Sequence, residues 1–182
     1  MHELSPRKYS SRLSYYCFVV LTISILMPMP VSSLYVQDNN WTSPSTIPSY
    51  DRDSWPPILI SDQYGVVHAF SSQLINTGAE SLRAIIYNRW TAEDGWTAPV
   101  DILLSPEKEA RITDVYVDQN DMIHIAFFGG DNTNANIYYS KAPASLAGTA
   151  MAWSLPSVVG ENAGDPEGAV FFEGEQGNLY LL

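Results

Sequence analysis

Two sequence patterns recur three times each, in step, at intervals of about 56 residues, and such a period sets the architecture before any single segment is read. The first is Trp, Thr or Ser, any residue, Pro, two residues and then a β-branched residue. It occurs as Trp41-Thr42-Ser43-Pro44 to Ile47, Trp96-Thr97-Ala98-Pro99 to Ile102, and Trp153-Ser154-Leu155-Pro156 to Val159. The second is an apolar run, a turn and another apolar run: Ile58 to His68, Asp114 to His124, and Val170 to Tyr180. Within it His68, His124 and Tyr180 hold one position of the repeat, and Gly65, Asp121 and Gly177 hold another.

Each repeat reads as four short antiparallel strands. The apolar runs flank Asp62-Gln63-Tyr64-Gly65 and Asp118-Gln119-Asn120-Asp121, and Gly, Asn or Asp supplies the positive φ that tight hairpin turns require. A third strand is predicted over 83–89 and again over 136–141, where Ile85-Ile86-Tyr87 matches Ile137-Tyr138-Tyr139. The Trp-x-x-Pro run is the fourth, with its Pro at an edge where a missing N–H costs no ladder bond. Charged residues make up 16% of the chain and aromatics 12%, a balance that suits stacked sheets with Trp and Tyr between them. The expected class is all-β.

Residues 1–33 read as a targeting segment: Arg7, Lys8 and Arg12, an apolar stretch from Tyr15 to Met27, then Pro28, Pro30 and the small pair Ser32 and Ser33. Cleavage is expected near Ser33, with an uncleaved membrane anchor as the alternative, and the mature chain is expected to be secreted or held at the cell surface. Cys17, the one cysteine, lies in the apolar stretch, so no disulfide or thiol nucleophile is expected beyond it. Removing three of nine basic residues and one of twenty acidic ones leaves six against nineteen, a formal net charge of −13. Such a surface repels polyanions, which argues against nucleic acid as a partner.

Four strands per unit of this length is the pattern of a β-propeller blade. The succession of inner hairpin, Ile-Tyr-Tyr strand and Trp-Ser-x-Pro strand resembles the bacterial neuraminidase repeat proteins of the sialidase superfamily, over about Trp41 to Leu182. The resemblance implies sialidase-like blades, of which residues 34–182 supply about two and a half, an incomplete propeller expected to be part of a larger one. The Asp-box turn of that family is only partly kept. Thr91-Ala92-Glu93-Asp94-Gly95-Trp96 retains the Asp-Gly and the Trp at shortened spacing, and the stretch from Lys141 to Ala152 has no Asp.

In a propeller, ligands gather where loops enter the innermost strands and where second strands pass to third ones. The entry loops here are 49–55, 105–113 and 160–168, and the others are 71–82 and 129–135. From the entry loops the ligand-binding candidates are Arg52, Asp53, Glu109, Arg111, Asp165 and Glu167. The resemblance implies a clamp of arginines for a substrate carboxylate, with a Tyr and Glu pair as nucleophile and an Asp as acid/base. Arg52 and Arg111 precede successive inner strands, although Arg111-Ile112-Thr113 lacks the Pro of the family's Arg-Ile-Pro motif.

His68 and His124 are expected to pack between sheets, since they repeat in place, and Asp62 and Asp118 to cap their own turns, at the end of the strands opposite the site. Asp131 to Asn136 is rich in oxygen donors but lacks the spacing of a calcium loop, so no metal is assigned. No cofactor is implied, because phosphate-binding, nucleophile-elbow and zinc motifs are missing from the sequence. The expected role is binding of a glycan or another extracellular partner without a catalytic set in this chain. The alternatives are an exo-acting glycosidase of sialidase type and a structural interaction scaffold.

Overall fold

The computed structural model describes residues 43–50, 53–77, 80–104, 109–131, 134–159 and 168–182. The chain divides into Met1–Pro44 and Ser45–Leu182, and every element below belongs to the second unit. The targeting segment lies outside the described residues. Among those described, no helix is long and apolar enough to cross a membrane.

Among the described residues, eleven strands form three antiparallel sheets. The first contains β1 (Ile58–Ser61), β2 (Val67–Thr77), β3 (Glu80–Thr91), β4 (Gly95–Trp96) and β5 (Val100–Leu104). Its order is β1-β2-β3-β4, with β5 also on β3. The second is a meander of β6 (Ala110–Val117), β7 (Met122–Asp131), β8 (Asn134–Pro143) and β9 (Ser157–Val159). The third is the hairpin β10 (Phe171–Glu173) and β11 (Leu179–Leu181).

The repeat is therefore structural. Ile60 pairs with His68, Tyr116 with His124, and Phe172 with Tyr180, each 56 residues after the last. The turns repeat as well. Asp62 Oδ1 accepts the backbone N–H groups of Tyr64 and Val66, both at 2.9 Å, and Asp118 Oδ1 accepts those of Asn120 at 2.8 Å and Met122 at 2.9 Å. Gly65 (φ 78°), Asp121 (φ 55°) and Gly177 (φ 74°) occupy the left-handed position as expected.

Alternation along β7 shows how the sheets stack. Ile123, Ile125 and Phe127, all fully buried, join a core with Phe70, Ile85 and Tyr87 of the first sheet. Ala126 and Phe128, on the other face of β7, pack with Phe171 and Leu181 of the third sheet. Side chains one apart on a strand point to opposite faces, so a strand apolar on both faces joins two layers. Burying each large side chain contributes on the order of 1.5–3 kcal/mol.

Polar bridges supplement this packing. The Ile112 N–H donates to Ser72 Oγ at 3.0 Å, and the Phe171 N–H to Asp114 Oδ2 at 2.7 Å. Gln63 donates across the first two sheets to Asp121, and its repeat equivalent Gln119 donates to Glu173 Oε1 at 3.1 Å.

Three expectations are corrected. Segments 71–82 and 129–135 are not loop mouths: β2 runs to Thr77 and β3 starts at Glu80, while β7 runs to Asp131 and β8 starts at Asn134. Ser71, Ser72 and Gln73 look loop-like in sequence but are buried. Gln73 Oε1 accepts the Tyr50 N–H at 3.0 Å and its Nε2 donates to Ser71 Oγ at 2.7 Å, so strand structure satisfies their polar atoms.

The fourth strand is also different. It divides at Pro99 into β4 and β5 in the first sheet, and in the second it begins only after Pro156, because Pro has no N–H for the ladder. Trp153 lies outside the strand and is buried, edge-on to Phe70 at 6.0 Å, with its Nε1 donating to Ala147 O at 2.9 Å. Finally, of the strand expected over 41–47, the described residues 43–47 form no strand.

Candidate functional site

Before β1 the edge of the first sheet is interrupted by Pro56-Pro57, and pairing with β2 is found again at Ser54, which bridges Gln73. Around it the Trp55 N–H donates to Ser72 O at 2.9 Å and the Leu74 N–H to Asp53 O at 3.0 Å. In the second sheet Ala110 pairs with Gly129, one repeat later on both strands. Asp53 and Trp55 thus correspond to Glu109 and Arg111, and the two pairs stand side by side at the entry end of adjacent sheets.

Arg83, opposite Leu74 on β3, joins them. Its guanidinium is bonded to the Asp53 carboxylate, and its Nε lies 3.2 Å from Glu109 Oε2. Arg83 Cζ sits 5.7 Å from the Trp55 ring centroid, Arg111 Cζ 5.4 Å from the same ring, and Arg111 Cζ 5.0 Å from that of Phe128. Both guanidiniums thus lie within cation–π reach of the Trp55 ring, and that of Arg111 within reach of Phe128 as well, contacts that contribute about 0.5–2 kcal/mol each.

The Arg83 side chain is only 10% exposed, whereas those of Glu109 and Asp53 are 50% and 68% exposed. Trp55 as a residue is 41% exposed. Arg111 also lines a cleft of about 310 Å³ with Ile112, Thr113, Ala169 and Val170, toward the third sheet.

Of the sequence candidates, Asp53, Glu109 and Arg111 come together here. Arg52, Asp165 and Glu167 lie outside the described residues. Sequence reasoning missed Arg83, Trp55 and Phe128. The available signal for Arg83 was its phase: it alternates with Ile85 and Tyr87 on the face that meets the second sheet. No group of three or more potential metal ligands occurs among the described residues. The oxygen-rich stretch 131–136 falls at the β7–β8 turn, where Asn132 and Thr133 are outside the described residues.

A larger cleft, about 510 Å³, lies at the opposite end of the strands, lined by Asp62, Tyr64, His68, Arg89, Asp121 and Ser145 among others. Its floor holds a His between two partners. His68 Nδ1 is 2.8 Å from Tyr87 OH and its Nε2 is 3.4 Å from Asp62 Oδ2. Burial lowers the His68 pKa, against the raising influence of Asp62, and pushes the Tyr87 phenol up to about 12. The phenol thus stays protonated and donates to Nδ1, which leaves the Nε2–H for the carboxylate.

The same triplet recurs one sheet on: His124 Nδ1 lies 2.8 Å from Tyr139 OH and Nε2 lies 3.2 Å from Asp118 Oδ2. A reactive His would be singular, whereas this one is copied with its partners, buried both times, with ring centroids 5.8 and 5.9 Å from those of its Tyr. These are structural braces that satisfy buried polar atoms. In the third hairpin Gly174 replaces the Asp and Tyr180 the His. A Cβ on Gly174 would meet Tyr180 Cε2 at 2.7 Å, so the larger ring takes the space of the missing carboxylate.

Comparison of the chain with protein-family models, with curated proteins and with solved structures finds no significant match.

Proposed function

We propose that this chain belongs to an exported, sialidase-like β-propeller that binds glycans at the entry end of its strands. Three features support a propeller: the 56-residue sequence period, the repeated four-stranded meander, and the stacking of successive sheets through both faces of β7. The acidic composition and the basic-then-apolar N-terminal segment suit an extracellular setting.

One observation carries the binding reading: a partly exposed Trp55 ring beside the open carboxylates of Asp53 and Glu109 and the guanidinium of Arg111, at adjoining sheet ends. Sugars offer apolar C–H faces to aromatic rings and hydroxyls to charged acceptors and donors, and this cluster presents both kinds of group within a few ångströms. A hydrolase of sialidase type would require, in addition, a nucleophile pair and an acid/base. Among the described residues, the cluster of Asp53, Trp55, Arg83, Glu109, Arg111 and Phe128 contains no Tyr.

Screening the purified chain on an array of neutral and acidic glycans tests the proposal. Binding that Trp55→Ala weakens by about tenfold or more, in a variant that still melts cooperatively, is the expected result. A chain that melts cooperatively and binds no glycan would refute it.

A further inference from the structure

The charges of the entry-end cluster bear on which glycans it accepts, an inference that rests on the glycan-binding reading above. A carboxylated sugar is recognised through a guanidinium whose paired N–H groups are open to it. Arg83 does not offer that geometry. Its Nη2 is bonded to the Asp53 carboxylate, its Nη1 reaches Asp53 O at 3.5 Å, and its Nε lies 3.2 Å from Glu109 Oε2. At 10% exposure, the side chain is enclosed by these acids.

What faces solvent instead are the acids themselves. The Asp53 side chain is 68% exposed and that of Glu109 50%, and Trp55 is 41% exposed beside them. Each carboxylate has acceptor capacity beyond its bond to Arg83. Asp53 and Glu109 balance Arg83 and Arg111 in formal charge, on a chain whose net charge is −11, but the two carboxylates are the more exposed groups, with Arg83 enclosed and Arg111 half-buried against the Trp55 and Phe128 rings. An incoming carboxylate would meet two fixed like charges, whereas a hydroxyl would donate charge-assisted hydrogen bonds to them.

We infer that this cluster selects neutral sugars over carboxylated ones: the Trp55 ring stacks on the sugar's C–H face, Asp53 and Glu109 accept its hydroxyls, and Arg83 is a positioning residue that holds both carboxylates in place. The two acids are the discriminating element, since they occupy the fork that would otherwise take an acidic sugar.

Calorimetric titration of the full chain with a neutral oligosaccharide, and with the same oligosaccharide carrying a terminal sialic or uronic acid, tests this. The neutral compound should bind at least about tenfold more tightly. Glu109→Gln, which keeps an oxygen acceptor for Arg83 Nε, should narrow that ratio, and Asp53→Asn/Glu109→Gln should invert it by releasing Arg83, with cooperative melting of both variants as the control for folding. Tighter binding of the acidic compound by the wild-type chain, or a ratio that neither variant moves, would overturn the inference and leave glycan binding standing. Binding of neither compound would remove both the inference and the reading beneath it.

Discussion

Substituting Asp118 with Ala removes three hydrogen bonds from one side chain, and the structure gives a magnitude for the loss. Oδ1 accepts the N–H groups of Asn120 at 2.8 Å and Met122 at 2.9 Å, and Oδ2 lies 3.2 Å from His124 Nε2. The carboxylate is 26% exposed, so water replaces part of what is lost at the turn, at about 1 kcal/mol for each backbone bond. The imidazole, whose side chain is 10% exposed, is left with one unsatisfied nitrogen, adding about 1 kcal/mol. The sum of about 3 kcal/mol corresponds to a fall in Tm of roughly 9 °C for a unit of this size. Asp118→Asn keeps an acceptor for the turn and should lose only about a third as much. Thermal melts followed by circular dichroism measure both. An Asp118→Ala variant within about 2 °C of wild type would refute the view that these aspartates brace the sheets.

The same carboxylate has a pH signature. Burial raises its pKa, but hydrogen bonds from Met122, His124 and Asn120 outweigh that and hold it below the usual carboxylate value. A depressed folded pKa contributes stability that is present above the unfolded value, near pH 4, and is lost as pH falls through the folded one. His68 acts at higher pH. Burial, offset in part by Asp62, lowers its pKa, so between about pH 6.5 and the folded value the unfolded chain binds a proton that the folded chain refuses. Stability should therefore fall as pH drops below about 6.5, and His68→Gln should flatten that slope in melts taken on either side of it. An unchanged slope would assign the titration elsewhere. Gly174→Ala should destabilise the third hairpin by about 1 kcal/mol through its contact with Tyr180, and Tyr180→Ala should relieve that cost in a double-mutant cycle. Strict additivity of the two changes would contradict the contact.

Much of the fold was legible because the repeat fixes turn chemistry and strand phase together. Asp62 with Gly65 and Asp118 with Asp121 mark their hairpins by side-chain caps and a left-handed residue, both of which are local properties of sequence. Strand length was not local. Ser71, Ser72 and Gln73 carry polar side chains that read as loop, yet their partners at Tyr50 and Ile112 lie distant in sequence and only folding supplies them. Pro99 was recognised as unable to donate, but the consequence, division of the fourth strand, depends on where β3 offers its acceptors.

The candidate site divides along the same line. Asp53, Glu109 and Arg111 stand out because they lie near the starts of β1 and β6, the first strands of successive repeats. Trp55 was hidden by the two prolines that follow it, which obscure its place in the β1 register, and Arg83 by its position within a strand. The arginine that organises the site enters it from the register of β2 on β3, which brings Arg83 opposite Leu74 at the entry end.

The most direct test of the account compares the two ends of the strands by calorimetry, using a glycan that the wild-type chain binds, with Trp55→Ala at the entry end and Tyr64→Ala at the turn end. Trp55→Ala should weaken binding by about tenfold or more, through loss of the stacking platform, while Tyr64→Ala should leave it unchanged. Loss of binding in Tyr64→Ala with full retention in Trp55→Ala would contradict it and move the ligand to the cleft above His68.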